Sequence, residues 1–232
     1  MEQPYYEFLQ QFVGREYEWG NSEENNRAVV MVEGNCRWQV PLVLKNFRHF
    51  LGPDWNLYIF GTSANYKWIQ EQLKGWKFNL ALVDKLQINA GVFNNLYKGK
   101  NFWESLREEH ILTIQADTIC CQPPDPKWFE YAFVGAPCGK DTLNGGLSLR
   151  RNSYMREALN RYGVFADNER ENEDVFFTKC LRLMGAPLPN GYDAAFFSVE
   201  SYYYGLPFGV HGTDKGYHNI HVAQKIVDQI EL

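Results

Sequence analysis

The sequence predicts an α/β fold with a mostly parallel, mixed central sheet covered by helices on both faces. Three observations predict it. Short apolar runs recur at Arg27 to Glu33, Leu57 to Gly61, Phe78 to Val83 and Ile111 to Gln115. Segments with helical spacing separate them, the alternation that a parallel sheet with crossover helices requires. The 232 residues, 45% hydrophobic and 16% aromatic, supply enough apolar mass to cover both faces in one domain.

The elements follow in order. Residues 1 to 26 mix aromatics with acids and end in the polar run Gly20 to Asn26, which reads as an N-terminal surface arm and a loop; residues 27 to 232 read as a single domain. Arg27 to Glu33 is a buried first strand with Glu33 at its carboxyl end. Pro41 suits a helix's first turn, Leu44, Phe47 and Leu51 carry its spacing, and Gly52-Pro53 ends it. Leu57 to Gly61 is the second strand. A helix from Asn65 shows Tyr66, Ile69 and Leu73 on one face, and Phe78 to Val83 is the third strand. Ile88, Val92 and Leu96 space a further helix, and Asn101 with Glu104 resembles a capping box for a short helix through Arg107.

Ile111, Leu112 and Ile114 make a strand buried on both faces that stops at Gln115-Ala116-Asp117. Pro123, Pro124 and Pro126 then mark a loop-rich region with strand-like runs at Tyr131 to Val134 and Gly146 to Arg150. Ser153 can cap a helix through Tyr162, and Asn172 another through Met184. Ala194 to Glu200 reads as a last strand, and His221 to Ile230 as an amphipathic terminal helix.

Bulk charge excludes some partners. A net charge of −5 and a pI near 5.6 argue against a nucleic-acid polymer, which needs a basic face. In so acidic a chain a diphosphate is most naturally neutralised by a bound cation as well as Lys and Arg. The five cysteines, Cys36, Cys120, Cys121, Cys138 and Cys180, are odd in number and lack C-x-x-C spacing, so they read as reduced and buried, as in a cytoplasmic protein. The amino terminus lacks a signal-peptide pattern and no window reaches a transmembrane length.

Four places carry chemistry. Asp117 lies at a strand's carboxyl end, where open α/β sheets bind ligands, so it can hold a divalent metal or a ribose; as a turn aspartate it would instead bond its own backbone. Asn144-Gly145-Gly146 before Leu147-Ser148-Leu149-Arg150 either lets the backbone approach something closely or makes a hairpin turn. Glu173-Asp174 at a helix start can complement the helix dipole or take a proton from an incoming hydroxyl. His211 in the flexible, glycine-flanked stretch Gly209 to Lys215 can ligate a metal, with Lys215 as a phosphate contact, or be merely exposed. His218 and His221 are poorly spaced for a joint site, and His49 and His110 read as surface helix residues. Gly135 to Asp141 resembles a phosphate loop but is one residue short, lacks Ser or Thr after Lys140, and contains Pro137, which donates no hydrogen bond.

The order of Glu33, Phe102-Trp103, EHILTIQADT, FVGAP, NGGLSLR, NEDVFF, FSVE and GVHG resembles a family of small, poorly characterised glycosyltransferases with the GT-A fold, over roughly residues 27 to 216. The resemblance implies a nucleotide-sugar donor, a glycan or other hydroxyl acceptor, and a divalent cation, Mn²⁺ or Mg²⁺. It also implies Asp117 and His211 at the metal, Asp117 at the ribose, Glu33 near the nucleotide, Asn144 to Gly146 along the sugar, Glu173 and Lys215 in substrate binding, and Asp174 as the base. One position departs from the family pattern: Gln115 stands where the acidic motif has its first aspartate, which weakens the cation site. The leading expectation is a hexosyl- or pentosyl-transferase, inverting and cation-assisted. A non-catalytic nucleotide-sugar or glycan binding module is the alternative, and a nucleotidyltransferase or hydrolase shares the sheet but gives no reason for the Asn-Gly-Gly strand.

Overall fold

The computed structural model describes every residue except 86, 140, 167, 169, 170 and 217–219, so Lys140 and His218 lie outside the described residues. Four parallel strands, β1 (Arg27–Val32), β2 (Asn56–Gly61), β3 (Asn79–Leu82) and β4 (His110–Ile114), form the expected core of the sheet. Two antiparallel strands, β6 (Phe133–Cys138) and β7 (Thr142–Arg151), extend it to the order β3-β2-β1-β4-β7-β6 and make it mixed. Because side chains alternate along a strand, Val29, Met31, Leu57, Ile59, Leu112 and Ile114 feed one apolar cluster, while Ala28, Val30, Val32 and Ile111 feed another. Both faces are therefore buried, and near-continuous apolar runs are the sequence form of that burial.

Helices cover both faces. With α2 (Gln39–Leu51), α3 (Tyr66–Gln72) and α9 (Ile220–Val227), Val40, Leu44, Phe47, Ile69, Ala223 and Ile226 close the first cluster. With α5 (Lys100–Glu104), α6 (Asn152–Tyr162) and α7 (Glu173–Leu183), Trp103, Met155, Leu159 and Phe177 close the second. The helix α4 (Ala90–Tyr97) starts on the Asn89 side chain, which accepts from Val92 N. A second sheet, β5 (Thr118–Cys120), β9 (Gly209–His211) and β8 (Ser198–Val199), sits beside the end of β4.

Several expectations are corrected. The N-terminal segment is not a surface arm: Tyr5, Phe8, Leu9 and Phe12, at helical spacing, are buried by α1 (Gln3–Gln10) and the turn after it, and α1 packs on α9. Ala194 to Phe197 is not strand but the end of α8 (Gly191–Phe197), because the Asn190 side chain caps that helix at Asp193 N. Gly99, without any side-chain cap, starts α5, so the Asn101 capping box is absent. Ser153 donates instead to Glu109 Oε1 at 2.6 Å, one residue inside α6. Cys36 and Cys138 are exposed, and His110 begins a strand. No helix among the described residues is long and apolar enough to cross a membrane.

Candidate active site

The topology brings the chemistry to one edge. The parallel strands β1 and β4 deliver Glu33 and Gln115 to Asp117 at their carboxyl ends. Since β7 runs antiparallel to β4, with Thr113 opposite Ser148, its first half carries Asn144 to Gly146 to the same edge. The start of α7 adds Glu173 and Asp174, and β9 with the turn after it adds His211 and Lys215. All nine sequence-selected residues line one cavity of about 400 Å³, together with Arg37, Ile88, Phe93, Gln115 and Asp214.

Asp117 is buried, and its carboxylate does not bond its own turn. Oδ2 lies 3.1 Å from Lys215 Nζ, and Oδ1 lies 3.8 Å from His211 Nε2. Burial opposes its charge, but His211 and the Lys215 ammonium hold the carboxyl below its ordinary value. The neighbouring Asp214 is pushed up, by burial and then by the charge of Asp117.

His211 is not a loop residue. It is buried at the end of β9, where it pairs with Thr118, and Thr213 N donates to Asp117 O at 3.1 Å, so the turn is tied to the strand end. Lys215 Nζ, which can only donate, and Gln115 Oε1, which can only accept, each lie 3.3 Å from His211 Nε2, so the role of that nitrogen follows the ring's tautomer. The other ring nitrogen, Nδ1, lies 3.3 Å from Glu200 Oε1 but makes no hydrogen bond to it.

The two glycines are required by close approach, and the hairpin turn falls earlier, where Gly139 and Asp141 have positive φ. A Cβ on Gly146 would lie 2.2 Å from His211 Nε2, and one on Gly145 would lie 2.2 Å from Glu173 Oε1. Glu173 itself departs from the expected substrate contact. It is buried, and both its carboxylate oxygens go to Arg150, at 2.5 and 2.8 Å, within a cage where the guanidinium lies 4.5 Å from the centre of the Phe133 ring. Burial raises the Glu173 carboxyl; for Arg150 burial is the largest single influence and lowers the guanidinium, but the charge and hydrogen bonds of Glu173 with the charges of Tyr97 and Asp174 together raise it, and the pair is read as ionised because arginine keeps its proton. Asp174 stays on the cavity side, its Oδ2 accepting from Gly145 N at 3.1 Å and its Oδ1 from Val175 N at 2.7 Å.

Glu33 Oε1 accepts from Asn35 N at 2.7 Å and Oε2 lies 3.4 Å from Arg37 Nε; burial raises its carboxyl nonetheless. Arg37, Asp214, Arg150 and Glu200 were missed as site residues. Arg37 follows Glu33 by four on one turn, and Arg150 and Glu200 stand in NGGLSLR and FSVE, where alternation alone does not say what a charge meets inside.

Among the described residues no three His, Cys, Asp or Glu side chains form a metal cluster. Asp117 and His211 nevertheless converge on one point, and the ammonium seated against both marks that point as built for positive charge. A hard cation that takes its other ligands from donor phosphates and water fits two such donors.

A family model described as "Protein of unknown function (DUF5672)" matches residues 81–211, more than half of the chain. No curated protein matches the sequence. Mouse xyloside xylosyltransferase 1, apo form, is similar in structure with a TM-score of 0.54 at 12% identity, over 81% of this chain and 98% of that one. The apo-form glycosyltransferase GlyE of Streptococcus pneumoniae TIGR4 has a TM-score of 0.46 at 17% identity over 69% of this chain, which spans only 43% of GlyE. The mannosyltransferase PcManGT from Pyrobaculum calidifontis, in complex with GDP-Man and Mn²⁺, has a TM-score of 0.47 at 13% identity, over 79% of this chain and 60% of that one. At 12% identity the likeness to xyloside xylosyltransferase 1 is one of fold.

Proposed function

We propose that this chain, which belongs to the family described as "Protein of unknown function (DUF5672)", is a glycosyltransferase that moves a hexosyl or pentosyl group from a nucleotide sugar to a glycan or other hydroxyl acceptor. One observation carries the reading: residues from five separate segments, singled out by their chemistry or by the resemblance, line a single cavity at the carboxyl ends of a parallel sheet. The fold shared with xyloside xylosyltransferase 1 supports it.

In this reading Val32, Ile88 and Phe93 offer an apolar wall to the base, and Asn144 to Gly146 run along the sugar. Lys215 and Arg37 take up charge on the diphosphate. Asp174 removes the acceptor's hydroxyl proton as the acceptor oxygen bonds to the anomeric carbon. The bond from that carbon to the diphosphate breaks, its electron pair leaves on the phosphate oxygen, and one such displacement inverts the sugar carbon. A divalent cation bound by Asp117 and His211 would supply further neutralisation of the leaving diphosphate.

A binding module without turnover is the second reading, favoured by the two backbone hydrogen bonds that already engage Asp174. The test is nucleoside diphosphate release from a panel of nucleotide sugars with Mn²⁺, in the parent and in Asp174→Asn. Slow release by the parent, much reduced in the variant, is expected; binding without release in the parent would favour the module.

A further inference from the structure

We infer that Lys215 is a built-in occupant of the cation position, which a divalent ion must displace before the donor can be held. Its Nζ lies 3.1 Å from Asp117 Oδ2 and 3.3 Å from His211 Nε2, the two groups that would ligate the ion. An ammonium and a metal ion cannot share those lone pairs. The turn that carries Lys215 is anchored, with Thr213 N bonded to Asp117 O, Glu2 N to Thr213 O and Lys215 N to Gly212 O. The side chain, 36% exposed, reaches Asp117 and His211 on a flexible four-carbon stem, so a change of rotamer moves the ammonium without moving that backbone.

Displacement has a direction. Among the described residues of the cavity wall the other cation, Arg37, pairs with Glu33 and Asp214, at 3.4 and 3.5 Å. With Glu33, Asp117, Asp174 and Asp214 around it, the cavity's described residues include more acids than bases, and a bare diphosphate entering it meets like charge. A divalent ion at Asp117 and His211 reverses that balance and at the same time releases the ammonium toward the phosphates. Lys215 thus lowers the affinity for metal alone and raises the affinity for diphosphate once metal is present. This inference rests on the reading of Asp117 and His211 as a cation site.

Opposite signs make it testable. Mn²⁺ alone is titrated into the parent, Lys215→Met, Arg37→Met and Asp117→Asn by calorimetry, with the free-ion electron paramagnetic resonance signal as a second readout. If the vacated position is populated about one-tenth of the time in the parent, Lys215→Met binds Mn²⁺ about tenfold more tightly, since apparent affinity scales with the competent fraction. Arg37→Met removes the same charge from the same cavity without touching the ligands, and is expected to gain less than about threefold. Asp117→Asn is expected to lose the site, and Lys215→Gln replaces the Met variant if that folds poorly. UDP and GDP are then titrated at saturating Mn²⁺, where Lys215→Met is expected to bind more weakly than the parent. Equal Mn²⁺ affinity in the parent and Lys215→Met, an equal gain in Arg37→Met, or no Mn²⁺ binding by any variant would overturn the inference. Tighter Mn²⁺ binding in Lys215→Met with no nucleotide binding by any protein would leave the displacement standing and remove the glycosyltransferase reading.

Discussion

Replacing Gly146 by alanine tests the geometry on which the site rests. The added Cβ would lie 2.2, 2.4 and 2.6 Å from Nε2, Cε1 and Cδ2 of His211, so the imidazole must move by about an ångström or the strand must yield. The ring has little room, being buried between Gln115, Asp117 and Glu200. Overpacking of this kind costs about 1–3 kcal/mol. Alanine restricts the unfolded chain and returns about 0.4–1 kcal/mol, which leaves a net loss of up to about 2.6 kcal/mol. For a chain of this size the thermal midpoint falls by up to about 10 °C. Thermal unfolding followed by circular dichroism measures it in the parent, Gly146→Ala, His211→Ala and the double variant. With the ring gone the methyl has space, so the two losses are expected to fail additivity by at least about 1 kcal/mol. Losses that add to within about 0.5 kcal/mol would mean that Gly146 is not there for His211, and the reasoning would be wrong.

Arg150→Met leaves the Glu173 carboxylate buried without its partner and is expected to cost about 3–5 kcal/mol, read from chemical denaturation. Asp174→Asn is expected to keep nucleoside diphosphate affinity while turnover falls by about 10² to 10⁴, measured by calorimetry and product release. Glu33 is raised by burial, so its ionisation disfavours the fold as pH climbs from its ordinary value of 4.5 through the higher folded value. Glu33→Gln should therefore have the higher thermal midpoint at neutral pH, a difference that shrinks below about pH 4.5 as both chains become neutral there. Alkylation followed by mass spectrometry should mark exposed Cys36 and Cys138 first and leave Cys120, Cys121 and Cys180 untouched until unfolding; burial pushes the Cys180 thiol up to about 11.

The parallel core was legible because strands buried on both faces leave near-continuous apolar runs, as Ala28 to Val32 and Ile111 to Ile114 do. The N-terminal helix was hidden by composition: acids and glutamines between Tyr5, Phe8 and Phe12 look like a surface segment until the helical spacing is counted. Of the run Ala194 to Glu200 read as strand, Ser198–Val199 is strand but Ala194 to Phe197 is helix, since one capping side chain, Asn190, outweighed the β-forming residues. In the site, the placement of Asp117, Gly146 and Asp174 was foreseeable from strand ends and helix starts. The partners were not. Glu173 looked like one of two equal acids, and only packing shows one turned to buried Arg150 and the other kept at the cavity. His211 looked loop-borne because its flanking glycines suggest freedom, whereas Gly209 packs in a strand, where a Cβ would lie 2.6 Å from Ile119 O.

Donor binding tests the central claim most directly. A thermal-shift panel of nucleotide sugars with Mn²⁺ is run on the parent chain and on Asp117→Asn. A true donor at 100 times its dissociation constant stabilises the parent by about 2.7 kcal/mol. That corresponds to a rise of about 5–10 °C in thermal midpoint for a chain of this size. The account predicts such a rise for at least one nucleotide sugar in the parent, and its loss in Asp117→Asn. No shift with any nucleotide sugar at millimolar concentration, or an equal shift in the variant, would contradict it.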